Sequence, residues 1–169
     1  MAVDPARYAL IQEVISVPKL WVAGSDMRSI WFEERQKRFP KPYTFRVSPE
    51  INGSSIEGVF IEARYKVTHV PGNRDSVSFS LIVDTARALG IDDNGPSSHT
   101  NTVGVGLPLY GMVIDHPHVN FVVPDALDGY AEPLPPLSLP ELWAEFCTRI
   151  NISGAPVFEL PKRQTELPI

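Results

Sequence analysis

Two stretches of the chain alternate between apolar and polar residues with a period of two. Val59, Ile61, Ala63, Tyr65 and Val67 are apolar, with Glu62, Arg64 and Lys66 between them. Val77, Phe79, Leu81 and Val83 alternate in the same way with Ser76, Ser78 and Ser80. Successive side chains of a strand point to opposite faces, so each stretch predicts a strand with one buried and one wet face. Pro71-Gly-Asn-Arg74 between them has turn chemistry, and the pair reads as an antiparallel hairpin.

A period near 3.6 marks both ends of the chain. Asp4 can cap free N–H groups and Pro5 is tolerated in a first helical turn. Tyr8, Ile11 and Ile15 follow, with Leu10 and Val14 beside them, and Pro18 stops the helix near Ser16. Near the other end, Ser138-Leu-Pro-Glu141 matches a capping box. Leu142, Phe146 and Ile150 recur behind it at spacings of four, with Trp143 and Cys147 alongside. Gly154 is the expected end of regular structure.

The remaining segments read less sharply. Residues 19–23 suggest a short strand. Residues 26–38 fit helix or strand, because Ile30, Trp31 and Phe32 form one continuous apolar run whose period is undefined. Residues 39–42 read as a turn, and residues 43–47 alternate as a strand. Residues 91–106 are polar and Gly-rich and read as a surface loop. Residues 110–114 and 119–123 are strand-like, with Pro117 marking an edge or bulge. Residues 126–137 read as a proline-rich connection. These elements predict an α+β domain over residues 1–155. Its antiparallel sheet would have about five or six strands, with the N-terminal and C-terminal helices packed on one face. An extended or mobile tail over residues 156–169 would follow.

Composition narrows the function classes. A chain of 169 residues can bury roughly 70% of its extended surface, so its stability requires no metal or disulfide. Seventeen prolines, about twice the usual share, call for many turns. The net charge is −5 and no Lys/Arg-rich stripe occurs, which disfavours a nucleic-acid partner. Arg28, Arg35, Lys37, Arg38 and Lys41 form a local basic group that reads as a solvated loop. The single cysteine, Cys147, falls on an apolar helix side and reads as a core residue rather than a nucleophile. Trp21, Trp31 and Trp143 read as core or rim anchors. The N-terminus lacks a signal-peptide pattern, and no run approaches the ~20 apolar residues of a membrane span. The cytoplasm is the default location and no membrane partner is expected.

The candidate chemistry lies in residues 111–121, Gly-Met-Val-Ile-Asp-His-Pro-His-Val-Asn-Phe, with Ser98-His-Thr-Asn101 upstream. On a strand His116, His118 and Asn120 would share one face, and Asp115 would point to the other. A His-x-His pair is half of a metal site, and His99 is the natural third ligand. His99 or His118 could instead act as general acid or base, tuned by Asp115 or Asp84. The plainer alternative is that the histidines and asparagines satisfy backbone groups and lock the loop. Candidate ligand- or partner-binding residues are therefore His99, Asn101, Asp115, His116, His118 and Asn120. His99 and His118 are the candidate catalytic pair. No metal is favoured and no cofactor is implied. There is no phosphate loop and no nucleophile elbow. No cysteine follows His116-Pro117 as ubiquitin-conjugating chemistry requires, and a cupin-type metal motif is incomplete.

Several marks occur in a familiar order. These are Phe60-Ile-Glu-Ala-Arg64, Ser78-Phe-Ser-Leu81, Ser98-His-Thr-Asn101, Pro117-His-Val-Asn120, Tyr130-Ala-Glu-Pro-Leu134, Leu142-Trp-Ala-Glu-Phe146 and Ile150-Asn-Ile152. Over residues 58–152 the chain resembles a group of small bacterial proteins encoded on prophages or beside toxin–antitoxin and defence genes. The second histidine of that group's His-x-His strand falls on Asn120, a poor ligand for zinc-type metals. The resemblance implies a bacterial, mobile-element or defence setting and a fold, with no reaction attached. The expected function is a non-enzymatic protein-binding module such as an inhibitor, immunity or accessory protein, whose acidic charge suits a protein partner. A small His-dependent hydrolase or RNase-type toxin, and a small-molecule pocket under the long loop, are the alternatives.

Overall fold

A computed structural model describes residues 2–35 and 40–161. Lys37 and Arg38 of the basic group, and residues 162–169 of the expected tail, lie outside the described residues. In chain order the elements are α1 (Pro5–Ser16), β1 (Lys19–Leu20), a 3-10 turn (Met27–Ser29), β2 (Phe32–Glu33), β3 (Tyr43–Val47), β4 (Glu50–Ile51) and β5 (Ser54–Ser55). They continue with β6 (Val59–Lys66), β7 (Ser76–Val83), β8 (Ala86–Asp93), β9 (Ser98–Thr100), β10 (Val113–Asp115), β11 (His118–Val123), β12 (Ala126–Pro133), α2 (Leu139–Arg149) and β13 (Ile152–Ser153).

The strands form three sheets. Seven strands run antiparallel in the order β12-β11-β8-β7-β6-β3-β2, four form β13-β1-β4-β5, and β9 pairs with β10. The α+β expectation of five or six strands with helices on one face is therefore wrong. Among the described residues the regular structure is mostly sheet, with thirteen strands and two α-helices.

Two long strands account for much of the difference. Ala86–Asp93 is Ala-Arg-Ala-Leu-Gly-Ile-Asp-Asp, composed largely of poor strand formers. It is a strand because β7 and β11 pair it on both sides. Its entry from β7 is a tight turn in which Asp84 and Thr85 both have positive φ, 46° and 68°. Glycine or asparagine normally announces such a turn, and here neither does. Residues 126–133, expected as a connection, form β12 against β11.

The period-two hairpin is present as β6 and β7, paired from Val59↔Val83 to Lys66↔Ser76. Ile61, Phe79, Leu81, Ile11, Leu142 and Phe146 are fully buried in one cluster. Phe79 sits 5.1 Å from the Trp143 ring, 5.8 Å from Phe146 and 5.6 Å from Phe158. The three tryptophans are buried, and each indole N–H donates to a carbonyl, those of Gly24, Glu159 and Pro156. Trp31 and Trp143 thereby hold residues 156–159 against the core, where Phe158 is buried. Cys147 packs against the same core, and burial pushes its thiol up to about 12, outside nucleophile range.

Lys19 ties the two helices together. Its ammonium donates to the carbonyls of Ile15 (3.1 Å) in the last turn of α1, Val17 (2.8 Å) just after it, and Ile150 (2.7 Å) just after α2. Burial pushes this group down to about 8, yet three carbonyl acceptors use three N–H donors, which only the charged form has. Lys19→Met should leave these carbonyls unpaired and lower the unfolding free energy by about 2–3 kcal/mol, measured by urea denaturation.

Candidate functional site

The candidate residues come from three neighbouring segments. β9 and β10 form a hairpin in which Ile114 pairs with His99 and Asp115 with Ser98. The chain then passes through a cis His116–Pro117 peptide into β11. The β9–β10 hairpin and the start of β11 set three imidazoles in a row, with ring centroids 4.2 Å apart for His116 and His118 and 5.8 Å apart for His99 and His118. The fourth histidine, His69, lies in the exposed link between β6 and β7.

Each ring has one nitrogen committed to a backbone carbonyl. His99 Nε2–H donates to Gly129 O (2.8 Å), His116 Nδ1–H to Asp92 O (3.2 Å) and His118 Nδ1–H to Asp115 O (3.2 Å). A carbonyl only accepts, so these contacts fix the neutral tautomers. His118 is 3% exposed. Burial, then the neighbouring His116, lowers its tendency to protonate below the ordinary value of 6.5.

The carboxylate nearest to His118 is Asp92, not Asp115 or Asp84. Asp115 is exposed and contributes its carbonyl, and Asp84 lies in the turn before β8, at the far end of that strand from Asp92. The outer face of the sheet builds the Asp92 site by register: Ser78 and His118 both pair with Asp92, and Ser80 and Asn120 both pair with Gly90. Asp92 accepts from Arg87 Nη2 (2.6 Å) and Nη1 (2.8 Å), Ser78 Oγ (2.7 Å) and Asn120 Nδ2 (2.8 Å). Burial alone would raise its pKa, but the Arg87 and Ser78 hydrogen bonds and the guanidinium charge hold the carboxyl below its ordinary range. Four donors fill the acceptor capacity of a carboxylate. His118 Nε2, 3.8 Å away, is beyond hydrogen-bond reach.

Arg87 reaches this position because Gly90 has no side chain. A Cβ at residue 90 would lie 2.1 Å from the guanidinium carbon. Arg87 Nε also donates to Ser80 Oγ (2.7 Å). Sequence reading missed Asp92, Arg87, Ser78, Ser80 and Gly90. The available signal was the glycine within Ala-Leu-Gly-Ile, which marks close approach once β8 is recognised as a strand.

Asn101 has a different task. It is fully buried. Its Nδ2 donates to Leu109 O (3.0 Å) and Ala131 O (2.9 Å), and its Oδ1 accepts from Ala131 N–H (2.8 Å). With His99 on Gly129 O, two side chains occupy backbone groups along the open side of β12, the edge strand of the large sheet. Residues 101–112 are fixed by the same clasp: Asn101 N–H donates to Met112 O (2.9 Å) and Gly111 N–H to Asn101 O (2.8 Å). Gly104 N–H donates to Asp125, and a Cβ on Gly104 would lie 2.7 Å from the Tyr130 ring. The space beneath the loop is therefore filled by Tyr130.

The arrangement is one of satisfied groups. Among the described residues, no set of three or more His, Cys, Asp or Glu could hold a metal ion, and no buried side-chain polar atom lacks a partner. Two open cavities of about 520 and 540 Å³ lie on the outer sheet face, beside Arg46 and Glu62, with no histidine in their lining. No helix among the described residues is long and apolar enough to cross a membrane. Compared with protein-family models, with characterised proteins and with solved structures, the chain matches none.

Gly90→Ala should expel the Arg87 guanidinium and cost about 2–3 kcal/mol in urea denaturation, with the loss reduced in the double variant Gly90→Ala/Arg87→Ala. His118 also sets a pH dependence. Its folded-state pKa lies below the ordinary 6.5, so the unfolded chain binds more protons in between. Stability is then retained above about pH 6.5, falls as pH drops below it, and levels off below the folded-state value. Melting temperatures at about pH 7.5 and about pH 5.5 should show this loss, and His118→Asn should flatten it. Asp92 acts in a separate, lower window: its contribution is present above about 3.8 and lost as pH falls through its depressed folded-state value.

Proposed function

We propose that this chain is a non-enzymatic protein-binding module whose contact surface is the loop between β9 and β10. The carrying observation is an apolar surface on a fixed backbone. Val105, Leu107, Tyr110, Met112 and Val113 are exposed by 73%, 36%, 46%, 51% and 62%, five of the nine residues 105–113. Singly exposed apolar side chains are ordinary, whereas a contiguous group is characteristic of contact surfaces. Asn101 and the turn hydrogen bonds hold this loop in place, so little ordering entropy is lost on binding.

Hydrolysis by the histidine row has less support. Each imidazole uses one nitrogen on a carbonyl, His118 is almost inaccessible, and Asp92 has no lone pair left to orient it. A small-molecule pocket under the loop has less support too, because Tyr130 occupies that space. The motif order that resembles prophage- and defence-linked bacterial proteins supports such a setting, where the module would act as inhibitor, immunity or accessory protein.

Photocrosslinking in cells tests the reading. A benzophenone amino acid at Val105, Tyr110 or Val113 should trap one and the same protein, while the same probe at Glu57 or Val70 should trap none. Adducts independent of position, or no adduct from the loop, would remove the basis for the proposal.

A further inference from the structure

The partner's chemistry can be narrowed by where the charges lie; this step rests on the loop being the contact surface. Residues 88–148 contain eight Asp and Glu and no Lys or Arg. Residues 1–87 contain twelve Lys and Arg against ten Asp and Glu. The net negative charge is thus concentrated in residues 88–148, the segment that carries the loop. The loop itself, residues 101–113, has no charged residue.

The fold sets three of those carboxylates around the apolar group. Val113 and Asp115 stand two apart on β10, so they share a face. Asp128, Tyr130 and Glu132 stand two apart on β12. Tyr130 packs under the loop against Gly104 and its hydroxyl accepts from Leu109 N–H (3.4 Å). Asp128 precedes Gly129, which lies against Val103 of the loop, and Glu132 follows Ala131, which Asn101 holds, so both carboxylates stand on the edge strand beside the loop. Asp115, Asp128 and Glu132 are exposed, and none has an ion-pair partner among the described residues. Asp125, by contrast, is used on Gly104 N–H.

We propose that the occupant of this surface is a cationic amphipathic protein segment, with apolar side chains against Val105, Tyr110, Met112 and Val113 and Lys or Arg side chains over Asp115, Asp128 and Glu132. Burial of the apolar group supplies affinity, and the rim carboxylates supply choice of partner and a salt-dependent on-rate. An acidic segment meets the like charge of these three carboxylates, and so does an anionic lipid surface.

Fluorescence anisotropy on the full chain tests this with three labelled synthetic peptides of equal length: alternating-face Leu/Lys, its Leu/Glu counterpart, and a Lys/Ser peptide with the same charge but no apolar face. The Leu/Lys peptide should bind, more weakly at about 0.5 M than at about 0.05 M NaCl, and the other two should not. Asp115→Asn/Asp128→Asn/Glu132→Gln should weaken it about tenfold and remove most of the salt dependence. Tyr110→Ser/Met112→Ser should abolish binding with the circular dichroism spectrum unchanged. Equal binding of the Leu/Glu peptide, or an unaltered affinity in the rim variant, would overturn the cationic assignment while leaving an apolar docking loop. Leu/Lys binding that survives Tyr110→Ser/Met112→Ser would overturn both readings. So would binding of the Lys/Ser peptide alone, no binding of any peptide, or preferential binding to phosphatidylserine vesicles.

Discussion

One carboxamide decides how the acidic edge of the large sheet is finished. β12 is the edge of a seven-stranded sheet, and an open edge presents unpaired N–H and C=O groups that invite another strand. Asn101 places its amide against the N–H and the C=O of Ala131, as a neighbouring strand would, and His99 takes the carbonyl of Gly129. The edge is closed by side chains. The same asparagine, through its own N–H and C=O, closes residues 101–112 into a loop. A residue that ends the sheet therefore also fixes the surface that faces outward, and the apolar side chains of that surface need no internal partner.

The histidine row belongs to this finish. His118 stands at the start of β11 beside Asp92, where a catalytic dyad would be sought. Asp92 is already filled by Arg87, Ser78 and Asn120, and the guanidinium lies where only glycine leaves room. The polar outer face is thus cross-linked from β7 through β8 to β11, while the inner face of the same strands is aromatic and aliphatic. Both faces of the centre of the sheet are rigid, for opposite physical reasons.

The sequence made the ends and the hairpin legible because their signals are local. Asp4 and Ser138 do cap α1 and α2, the second through a complete capping box. The strands β6 and β7 follow from period two. β8 and β12 were not legible. The glycines in those strands answer to what packs on them: Gly90 leaves room for the guanidinium of Arg87 on the same strand, and Gly129 lies against Val103 of the loop. β8 is held between β7 and β11, the latter more than twenty residues further on, and β12 by its pairing with β11; the residues of the two strands carry no period-two pattern that encodes those pairings. The proximity of His116 and His118 was legible from their spacing, whereas His99 joins them only through the pairing of β9 with β10. Their use on backbone carbonyls depends on ring orientation, which spacing does not carry. Asp92, the centre of the polar network, was hidden within a stretch whose composition resembles a loop.

The asparagine clasp is tested most directly by amide hydrogen exchange, residue by residue, in the native protein and in Asn101→Leu. The Ala131 and Gly111 amides, which donate to Asn101, should exchange slowly in the native protein and fast in the variant, with Phe79 in the core strand protected in both. Fast exchange at Ala131 and Gly111 in the native protein, or protection there that Asn101→Leu leaves unchanged, would mean that the edge and the loop are not held by this side chain.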